Sequence, residues 1–525
     1  MIKNFDCGCK VDTNNINLDK INQDCPKVWE LFCDGLTKGI FQLENNLGSA
    51  YSTKIKPHSI PEISDLISLI RPGPLKGEID GKTMMAHYID RKNGDEKVEF
   101  LHDCLIPILG PTQGMLVYQE GLMAMGKILA GFSDVEVDTL RKGCAKKDAK
   151  LLFSLEEQFV NGCDKTKVVT KEQGVALFET IKASARYSFC AAHGCSYAVL
   201  GYMTAWIKVH FPLEFYTSWL RHAEDKIDPD EEVRELVANL RKQNIAISLP
   251  SPTSLYDNYT LVEDKIVVGL SNLKNIGKTQ AIKLIELVNS LCKNPNEISW
   301  VEFLYHIADK SNQKAIESLL KVGVFNFGRT REFLLHDLFI WNKLTQREKD
   351  LAICGIELLC GQESVCDVIT KILTNKINKK RAKTVEDLQL LLTNPPYSLN
   401  DTPCKIVKYE KNVLGFTITF ALTELSSMYG QTTCREFSDG KSDNLDILCE
   451  ILKVREYNPK KGQNVGKKMC FLSVEDATAR IDAVVFPKEL ETYKNQIYVN
   501  NVVILHGVRS KYNSKSLIVN QVTEI

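Results

Sequence analysis

The spacing of apolar residues predicts helices over most of the first half of the chain. From residue 39 to about residue 223, apolar positions recur mainly at helical spacing. Proline and glycine interrupt this spacing at RPGPL (71–75) and LGPTQG (109–114), where a continuous helix cannot form. Two long helices are predicted beyond these breaks, at about 117–130 and 135–143.

The second half begins with a helix start and ends in short β-rich runs. Asp228 precedes Pro229 and a group of acidic residues, which is the pattern of a capped helix N-terminus. Short helices with glycine turns are predicted for 262–335, and 336–440 has the least regular pattern. Five later runs have the length and composition of strands and predict a small barrel: DILCEILKV, KMCFLSVED, RIDAVVFP, NVVILHGV and SLIVNQVTEI.

The composition is that of a multidomain globular protein without a bulk charge signal. The 525 residues exceed the size of one core and predict about three to five domains. Lys plus Arg equals Asp plus Glu, 66 each, so any nucleic-acid surface must be local. The 17 cysteines lack paired spacing and predict reduced thiols in a cytoplasm. No signal peptide and no membrane span are expected.

Six ordered stretches carry a resemblance to a known family. They are GIFQLE (39–44), LISLIRPGPL (66–75), YIDRKNG (88–94), GMLVYQEGLM (114–123), ILAGFSDVEVDTLRKGCAKK (128–147) and RYSFCAAHGCSYAVLGYMTAWIKVHFPLEFY (186–216). Their order and spacing resemble the fingers of the C-family alpha subunit of bacterial replicative DNA polymerase III. The resemblance continues through VVGLSNLKNIGKTQAI (267–282) into the terminal barrel and covers nearly the whole chain from about residue 17.

The resemblance implies a multidomain protein with mainly α-helical fingers and tandem helix-hairpin-helix motifs, followed by an all-β OB-fold barrel. The implied domains are a palm-edge remnant (1–38), fingers (39–258), a duplex-binding hairpin region (259–335), a connecting, clamp-proximal region (336–440) and the OB-fold (441–525).

Two groups in the fingers are implied to contact nucleotide or phosphate. The first is Arg141, Lys142, Lys146 and Lys147, whose alternative interpretation is a solvated basic helix end. The second is Phe189, His193 and Tyr197, spaced four apart on one helical face, whose alternative is a core stripe. This chain has Cys190, Ala191 and Ala192 where the family has Asn-Lys-Ser, so a phosphate-binding lysine is missing.

Further basic positions are candidates for DNA contact. Arg71, Arg91 and Lys92 are as consistent with a rigid turn and a surface pair as with backbone binding. Lys274, Gly277 and Lys278 belong to the first hairpin, where a glycine turn lets backbone N–H groups face a phosphate. Residues 314–332 resemble a second, degenerate copy. The barrel loops add Lys460, Lys461, Lys467, Lys468, Lys511 and Tyr512, which also suit an ordinary soluble surface.

No protein metal site is predicted from the cysteines. Cys190, His193 and Cys195 lack a fourth ligand, and Cys7, Cys9, Cys25 and Cys33 are no better as a set.

The catalytic carboxylates of the family are missing, and no catalytic residue is predicted. In the family they form an Asp-x-Asp pair and a later Asp that hold two Mg²⁺ ions, all before the GIFQLE motif. Here the sole Asp-x-Asp is Asp228 and Asp230, already assigned to a helix start. We therefore expect a split, phage-like polymerase half, inactive alone, in a bacterial or host cytoplasm; a truncated polypeptide is the alternative.

The expected partners are primer-template DNA, dNTP and a palm-bearing chain that holds Mg²⁺. The sliding clamp is a partner by analogy only, because Gln389–Leu392 lacks the aromatic residue of a clamp-binding peptide and is better interpreted as part of a helix. Two other interpretations stay open: a non-catalytic DNA-binding accessory protein derived from a polymerase, and a degenerate fragment. The missing Asn-Lys-Ser sequence slightly favours the accessory protein.

Overall fold

The computed structural model divides the chain into two compact units, Met1–Phe215 and Tyr216–Ile525. The structure describes the chain except residues 1, 80, 147–148, 186–188, 292–297, 354–363, 421, 429, 441–444, 460–465, 477, 500, 511–512, 514–515 and 525.

The first unit is mainly helical with two small hairpins. Its elements are β1 (Ile2–Asn4), β2 (Lys10–Asp12), α1 (Pro26–Cys33), α2 (Asn46–Ile55), α3 (Ile60–Leu69), α4 (Pro72–Lys76), β3 (Glu78–Ile79), β4 (Lys82–Thr83), α5 (Met84–Asn93), α6 (Ile106–Leu109), α7 (Gln119–Ala130), α8 (Asp134–Lys146), α9 (Ala149–Thr166), α10 (Lys171–Ala185) and α11 (Ala191–His210). Helix α12 (Pro212–Arg221) crosses the boundary between the units.

Local chemistry sets the ends of these helices. The Ser59 hydroxyl accepts a hydrogen bond from the Glu62 backbone N–H and caps α3. The first proline of the RPGPL break, Pro72, occupies the first position of α4, where its missing N–H has no consequence. Gly94, at φ +83°, ends α5 in the left-handed conformation that glycine tolerates.

Two hydrophobic cores fill the first unit. One joins α1, α3, α5 and α11, and its large members include Trp29, Phe32, Tyr202 and Trp206. The other joins α7, α8, α9 and α10. Helix α11 packs closely on α3: a methyl group at Gly194 would lie 2.6 Å from the Ser64 hydroxyl, so glycine permits this approach.

The second unit begins with helices and a small sheet. Its elements up to the barrel are α13 (Pro229–Lys242), β5 (Ala246–Ser248), β6 (Thr260–Val262), β7 (Lys265–Val267), α14 (Lys278–Leu291), α15 (Trp300–Glu302), α16 (Gln313–Lys321), α17 (Arg331–Trp341), α18 (Gln346–Ile353), α19 (Val365–Thr374), α20 (Ala382–Thr393), α21 (Pro403–Leu414), α22 (Leu422–Met428) and α23 (Cys434–Ser438). A 3₁₀ turn, Leu270–Asn272, precedes α14, and a π-helical turn, Phe303–Ala308, follows α15.

The chain ends in a closed barrel. Its strands are β8 (Asp446–Tyr457), β9 (Met469–Glu475), β10 (Arg480–Val485), β11 (Val502–Arg509) and β12 (Ser516–Glu524), with α24 (Pro487–Tyr493) between β10 and β11. The strand order is β10-β12-β11-β8-β9, closed by a parallel β10–β12 pair. Alternate residues such as Val474, Ile481 and Val503 fill the interior. This is the arrangement of an OB-fold.

Several predictions for individual elements are confirmed. The two long helices are α7 and α8, and all five β-rich runs are barrel strands. Asp228 caps α13, its side chain accepting from the Glu231 N–H at 3.0 Å. Gln389–Leu392 lies within α20, as expected. In the described part of the chain, no helix is long and apolar enough to cross a bilayer.

Candidate nucleic-acid interface

A line of rings packs edge to face along the start of α11 in the first unit. We call Arg71, Phe189, His193, Tyr197 and Phe41 the aromatic ladder. The Arg71 guanidinium carbon lies 4.0 Å from the centre of the Phe189 ring. Ring centres are 5.1 Å apart for Phe189 and His193, 4.0 Å for His193 and Tyr197, and 5.1 Å for Tyr197 and Phe41. The ladder brings together two sets of sequence candidates, and sequence reasoning missed Phe41.

The predicted position of Phe189 on a helical face is wrong. Helix α11 begins at Ala191, and Phe189 lies before it in a parallel bridge to Tyr118. The Phe189 N–H donates to the Val117 carbonyl at 2.9 Å, and its carbonyl accepts from the Gln119 N–H at 2.8 Å. A contact with the segment before α7 therefore holds the ring, which explains why helical spacing alone misplaced it.

The ladder is accessible and carries positive charge. Arg71, His193 and Phe41 are exposed, whereas Phe189 and Tyr197 are half-buried. Such a surface combines aromatic faces for stacking on bases with a cation and an imidazole for phosphate. The core-stripe alternative does not fit His193, which is exposed at the surface.

The Glu120 carboxylate occupies the N-terminus of α11, at the position of Cys190, Ala191 and Ala192. The Ala191 N–H donates to Glu120 Oε2 at 2.9 Å, and the Cys190 thiol lies 3.6 Å from Glu120 Oε1. The carboxylate thus satisfies a helix donor that could otherwise face an anion. This internal contact weakens anion binding at this end of α11.

A buried carboxylate lies on the α3 side of this region. Asp65 accepts hydrogen bonds from the Tyr88 hydroxyl at 2.8 Å and the Tyr118 hydroxyl at 2.6 Å. Burial raises the pKa of Asp65 to about 6 despite these hydrogen bonds. Asp65, Tyr118, Glu120 and Cys195 line one cavity of about 300 Å³. Asp65 directly precedes the stretch 66–75 quoted for the resemblance, and it offers no local sequence signal of its burial.

The basic residues near the end of α8 form ion pairs with Asp138 of the same helix. Arg141 Nη2 and Lys142 Nζ lie 2.8 Å and 2.7 Å from the two oxygens of Asp138. Hydrogen bonds from Lys142 and then Arg141 lower the pKa of Asp138. Both cations remain partly exposed, so their nucleotide role stays a prediction. The side chain of Lys146 and the whole of Lys147 lie outside the described residues.

Arg91 and Lys92 are engaged inside the first unit. Arg91 Nε lies 2.6 Å from Glu96 Oε1, and Arg91 Nη1 donates to the Gln113 carbonyl at 3.1 Å. Burial raises the pKa of Glu96, but hydrogen bonds from Arg91 and His87 outweigh it and bring the value to about 2. Lys92 Nζ lies 2.8 Å from Glu62 and is only 12% exposed. These contacts favour the structural alternative for both cations.

The first hairpin of the second unit, which runs from Leu270–Asn272 through 273–277 into α14, has an exposed turn. Lys274, Gly277 and Lys278 are all exposed, and a methyl group built on Gly277 would meet nothing within 4 Å. The Lys274 N–H donates to the Val413 carbonyl at 2.9 Å, and the Asn275 amide donates to the Ser318 hydroxyl at 3.2 Å. Hydrogen bonds to Val413 and Ser318 therefore hold the turn in place, while Lys274, Gly277 and Lys278 stay accessible to solvent.

The second hairpin consists of α16, the turn 322–330 and α17. The start of α17 already holds an anion, because the Arg331 and Glu332 N–H groups donate to the two Asp401 oxygens at 3.0 Å and 3.1 Å. The Arg331 guanidinium donates to the Lys321 carbonyl at 2.9 Å and lies 3.6 Å from Glu410. Two helices joined by the turn 322–330 agree with the second copy predicted for 314–332, but the first N–H groups of α17 are bonded to Asp401.

The barrel presents a basic and aromatic face that sequence reasoning missed. Lys453, Arg455 and Tyr457 alternate along β8 and are all exposed. Arg455 pairs in register with Phe471 of β9, and the Tyr457 and Phe471 ring centres are 5.9 Å apart. The sequence signal for this face was the alternation of basic and aromatic residues in KVREY (453–457).

The barrel residues predicted from the sequence to bind DNA receive less support from the structure than the face on β8 and β9. Lys468 lies 2.8 Å from Glu456, and Lys467 lines a surface cavity of about 620 Å³ beside α24. Lys460, Lys461, Lys511 and Tyr512 lie outside the described residues.

Magnesium does not fit the ligands that this chain brings together. In the part of the chain that the structure describes, the group of convergent metal-ligating side chains is Cys7, Cys9, Cys25 and His210. Mg²⁺ prefers oxygen ligands, so thiols and an imidazole do not suit it. His210, not Cys33, completes this set. No step through Mg²⁺ is therefore assigned to residues of this chain.

Comparison with known proteins adds to this geometry. Residues 2–167 match the family model of the bacterial DNA polymerase III alpha subunit finger domain, and residues 450–525 match that of the OB-fold nucleic acid binding domain. The DNA polymerase III alpha subunit of Staphylococcus aureus (strain MSSA476) is 29% identical over 97% of this chain. The alpha subunit of Staphylococcus epidermidis is 29% identical over 98%.

The chain is therefore similar to the DNA polymerase III alpha subunit along nearly its whole length. The chain spans 43% and 44% of the length of these two relatives. The finger-domain match contains Arg71, Arg91, Lys92, Arg141 and Lys142, and it ends before the helix that carries His193. The OB-fold match covers the closed barrel from within β8 onward.

Proposed function

We propose that this chain supplies the fingers, the duplex grip and the single-strand surface of a template-directed DNA polymerase. In this proposal, the palm carboxylates come from another polypeptide and hold Mg²⁺, which would activate the primer hydroxyl and stabilise the leaving pyrophosphate. The aromatic ladder is the observation that carries the proposal. A simple DNA-binding protein has no need of an exposed imidazole between two aromatic rings on a finger-like helix.

The ladder is suited to the incoming nucleotide. Phe189 and Tyr197 flank His193 at 5.1 Å and 4.0 Å, so they limit the orientations of its ring. Arg71 stacks on Phe189 and leaves its charge at the exposed end. A triphosphate would gain charge-assisted hydrogen bonds from these two groups. Arg141 and Lys142 would add charge only if the nucleotide competes with Asp138 for them.

The second unit suits DNA binding without sequence readout. The first hairpin has an exposed Gly277 at the start of α14, flanked by the exposed Lys274 and Lys278, and this helix N-terminus would suit a duplex phosphate. The barrel offers Lys453, Arg455, Tyr457 and Phe471, which suit stacking and backbone contact with a single strand.

The test is primer extension by this chain together with whatever palm-bearing polypeptide copurifies with it from native cells. His193→Ala should lower kcat/KM for dNTP about tenfold or more while leaving the affinity for primer-template DNA unchanged. Cys195→Ala is the matched control: Cys195 is also exposed on α11, but two positions later it points about 200° away. Equal losses for both variants would remove the ladder from the nucleotide site.

The purified chain itself also discriminates between the interpretations. Recovery without a palm-bearing partner, with DNA binding but no extension, would support the accessory-protein interpretation. Extension of a primer by the chain alone with Mg²⁺ and dNTP would contradict the split arrangement.

A further inference from the structure

Three parts of the first unit bring three thiols and one imidazole to a single point. Cys7 and Cys9 belong to the β1–β2 hairpin, Cys25 is the N-cap residue of α1, and His210 is the last residue of α11. Their ligand atoms all lie within 4.8 Å of one another. Cys25 Sγ is 3.6 Å from His210 Nε2. These positions are up to 203 residues apart in sequence, so local composition does not explain the convergence.

Each ligand is held by structure that does not depend on the cluster itself. The Phe5 N–H donates to the Cys9 carbonyl at 2.9 Å, and Gly8, at φ +83°, completes the tight turn between Cys7 and Cys9. The Cys25 N–H donates to the Tyr202 hydroxyl at 3.2 Å.

The rings of Phe5 and Trp206 flank His210. Their centres lie 4.4 Å and 4.6 Å from the centre of the imidazole, and they orient it toward the thiols. Cys9, Cys25 and His210 are buried, and Cys7 is half-buried. A cluster with this burial excludes most solvent and keeps one edge through which an ion can enter.

The ligand set matches one class of ion. Three cysteines and one histidine in a closed, four-ligand arrangement are typical of structural zinc. In a tetrahedral zinc site the ligand atoms are about 3.3–3.8 Å apart, so the largest separation here needs a contraction of about 1 Å. Burial of thiols as small apolar groups is the alternative, and it requires no histidine among them.

We propose that Cys7, Cys9, Cys25 and His210 bind one structural zinc ion. Zn²⁺ would replace the protons of the three thiols, releasing them to solvent, and would accept the imidazole lone pair. The ion would join the N-terminal hairpin to the C-terminal end of α11, the helix whose other end carries His193. The proposal does not rest on the polymerase function, because the site would stabilise the fold in any role.

The experiment measures zinc in the full-length chain purified under reducing conditions without added chelator. Elemental analysis should find about one zinc per chain, and Cys25→Ser and His210→Ala should each lower it at least tenfold. Cys33→Ser and Cys104→Ser are matched controls, because both thiols are half-buried but lie outside the cluster. Both controls should keep the zinc of the unsubstituted chain, and His210→Cys should also keep it.

Two results would overturn the proposal. One is a folded, unsubstituted chain that contains no zinc after purification from zinc-supplemented cells. The other is a disulfide among Cys7, Cys9 and Cys25, found by mass spectrometry of the same sample.

Should Cys25→Ser fail to fold, Co²⁺ exchanged into the unsubstituted chain gives the answer. A tetrahedral Co²⁺ spectrum with a thiolate charge-transfer band supports the site, and His210→Cys should alter that band. An octahedral spectrum contradicts the site.

Discussion

Each of the two hairpins of the second unit leads through a turn into a helix, but the two turns differ in what they can bind. In the first, Gly277 and Lys278 are exposed, and a methyl group at Gly277 would meet open space. In the second, Asp401 accepts hydrogen bonds from the first N–H groups of α17, and Arg331 is bound to Lys321 and Glu410. The helix start is therefore a candidate phosphate site in the first hairpin and a structural joint in the second.

A repeated motif therefore does not by itself repeat a binding site. A helix N-terminus binds an anion only while its N–H groups are available. In the second hairpin the anion is the Asp401 carboxylate, which lies 70 residues after Arg331 in the sequence. The N–H groups of α17 therefore stabilise the fold and are not available to a phosphate. In the first hairpin, the hydrogen bond from the Lys274 N–H to the Val413 carbonyl holds the turn against the second unit. The exposed side of the turn therefore stays available for DNA.

The largest expected effect comes from charge reversal in the first hairpin. Lys274→Glu with Lys278→Glu should weaken binding to a short duplex by about 100-fold and lower the slope of log K against log salt by about 2. The matched control is Lys314→Glu with Arg329→Glu, the same charge change at exposed positions of the second hairpin. Fluorescence anisotropy at several salt concentrations measures both. Equal losses of duplex affinity in the two double variants would show that the two hairpins do not differ in DNA binding.

In the second hairpin, we expect a buried carboxyl group of α17 to make the free energy of unfolding depend on pH. Burial raises the pKa of Asp337 in α17 to about 6, although Trp300 donates a hydrogen bond to it at 3.0 Å. Because the folded state holds this proton more tightly, its stabilising contribution is complete below pH 4 and is lost as pH rises through 6.

Asp337→Asn should remove this part of the pH dependence. The difference in unfolding free energy between the unsubstituted chain and the variant should change by about 2 kcal/mol between pH 4 and pH 7. Denaturant unfolding across that range, followed by circular dichroism, measures it. A constant difference would show that Asp337 titrates normally.

Removing the internal anion should make the two hairpins more alike. Asp401→Ala takes away the acceptor of two α17 N–H groups and should destabilise the chain by about 1–2 kcal/mol. The N–H groups become available, so duplex affinity should not fall and should rise up to a few-fold. Thermal unfolding and anisotropy on the same sample measure both effects, and a fall in DNA affinity would contradict the assignment of a structural role.

Local sequence signals predicted the regular elements well. Asp228 with Pro229 marked the start of α13, and short β-rich runs marked all five barrel strands. These features depend on neighbours in the sequence, so composition and spacing contain them.

The candidate sites depended on distant contacts that spacing does not contain. Phe189 lies outside α11 because a bridge to Tyr118 holds it, and Asp401 reaches α17 across the chain. Sequence proximity grouped Cys33 with the other cysteines, whereas the fold brings His210 to them instead. Arg91 looked like a surface cation, but its partners Glu96 and Gln113 occupy it internally.

The open turn of the first hairpin is the proposed duplex-binding site, and a pair of glycine substitutions tests it. Gly277→Ala should leave the melting temperature unchanged, because the methyl group meets nothing in the folded chain, yet weaken duplex binding about three- to tenfold by keeping a phosphate from the backbone. Gly328→Ala, in the second hairpin at φ +68°, should lower stability by about 1 kcal/mol and leave duplex affinity unchanged.

The decisive measurement is duplex affinity for these two variants, with melting temperatures from the same samples. Loss of affinity in Gly277→Ala alone, and loss of stability in Gly328→Ala alone, is the result expected here. Full duplex affinity in Gly277→Ala would contradict the claim that the first hairpin holds DNA.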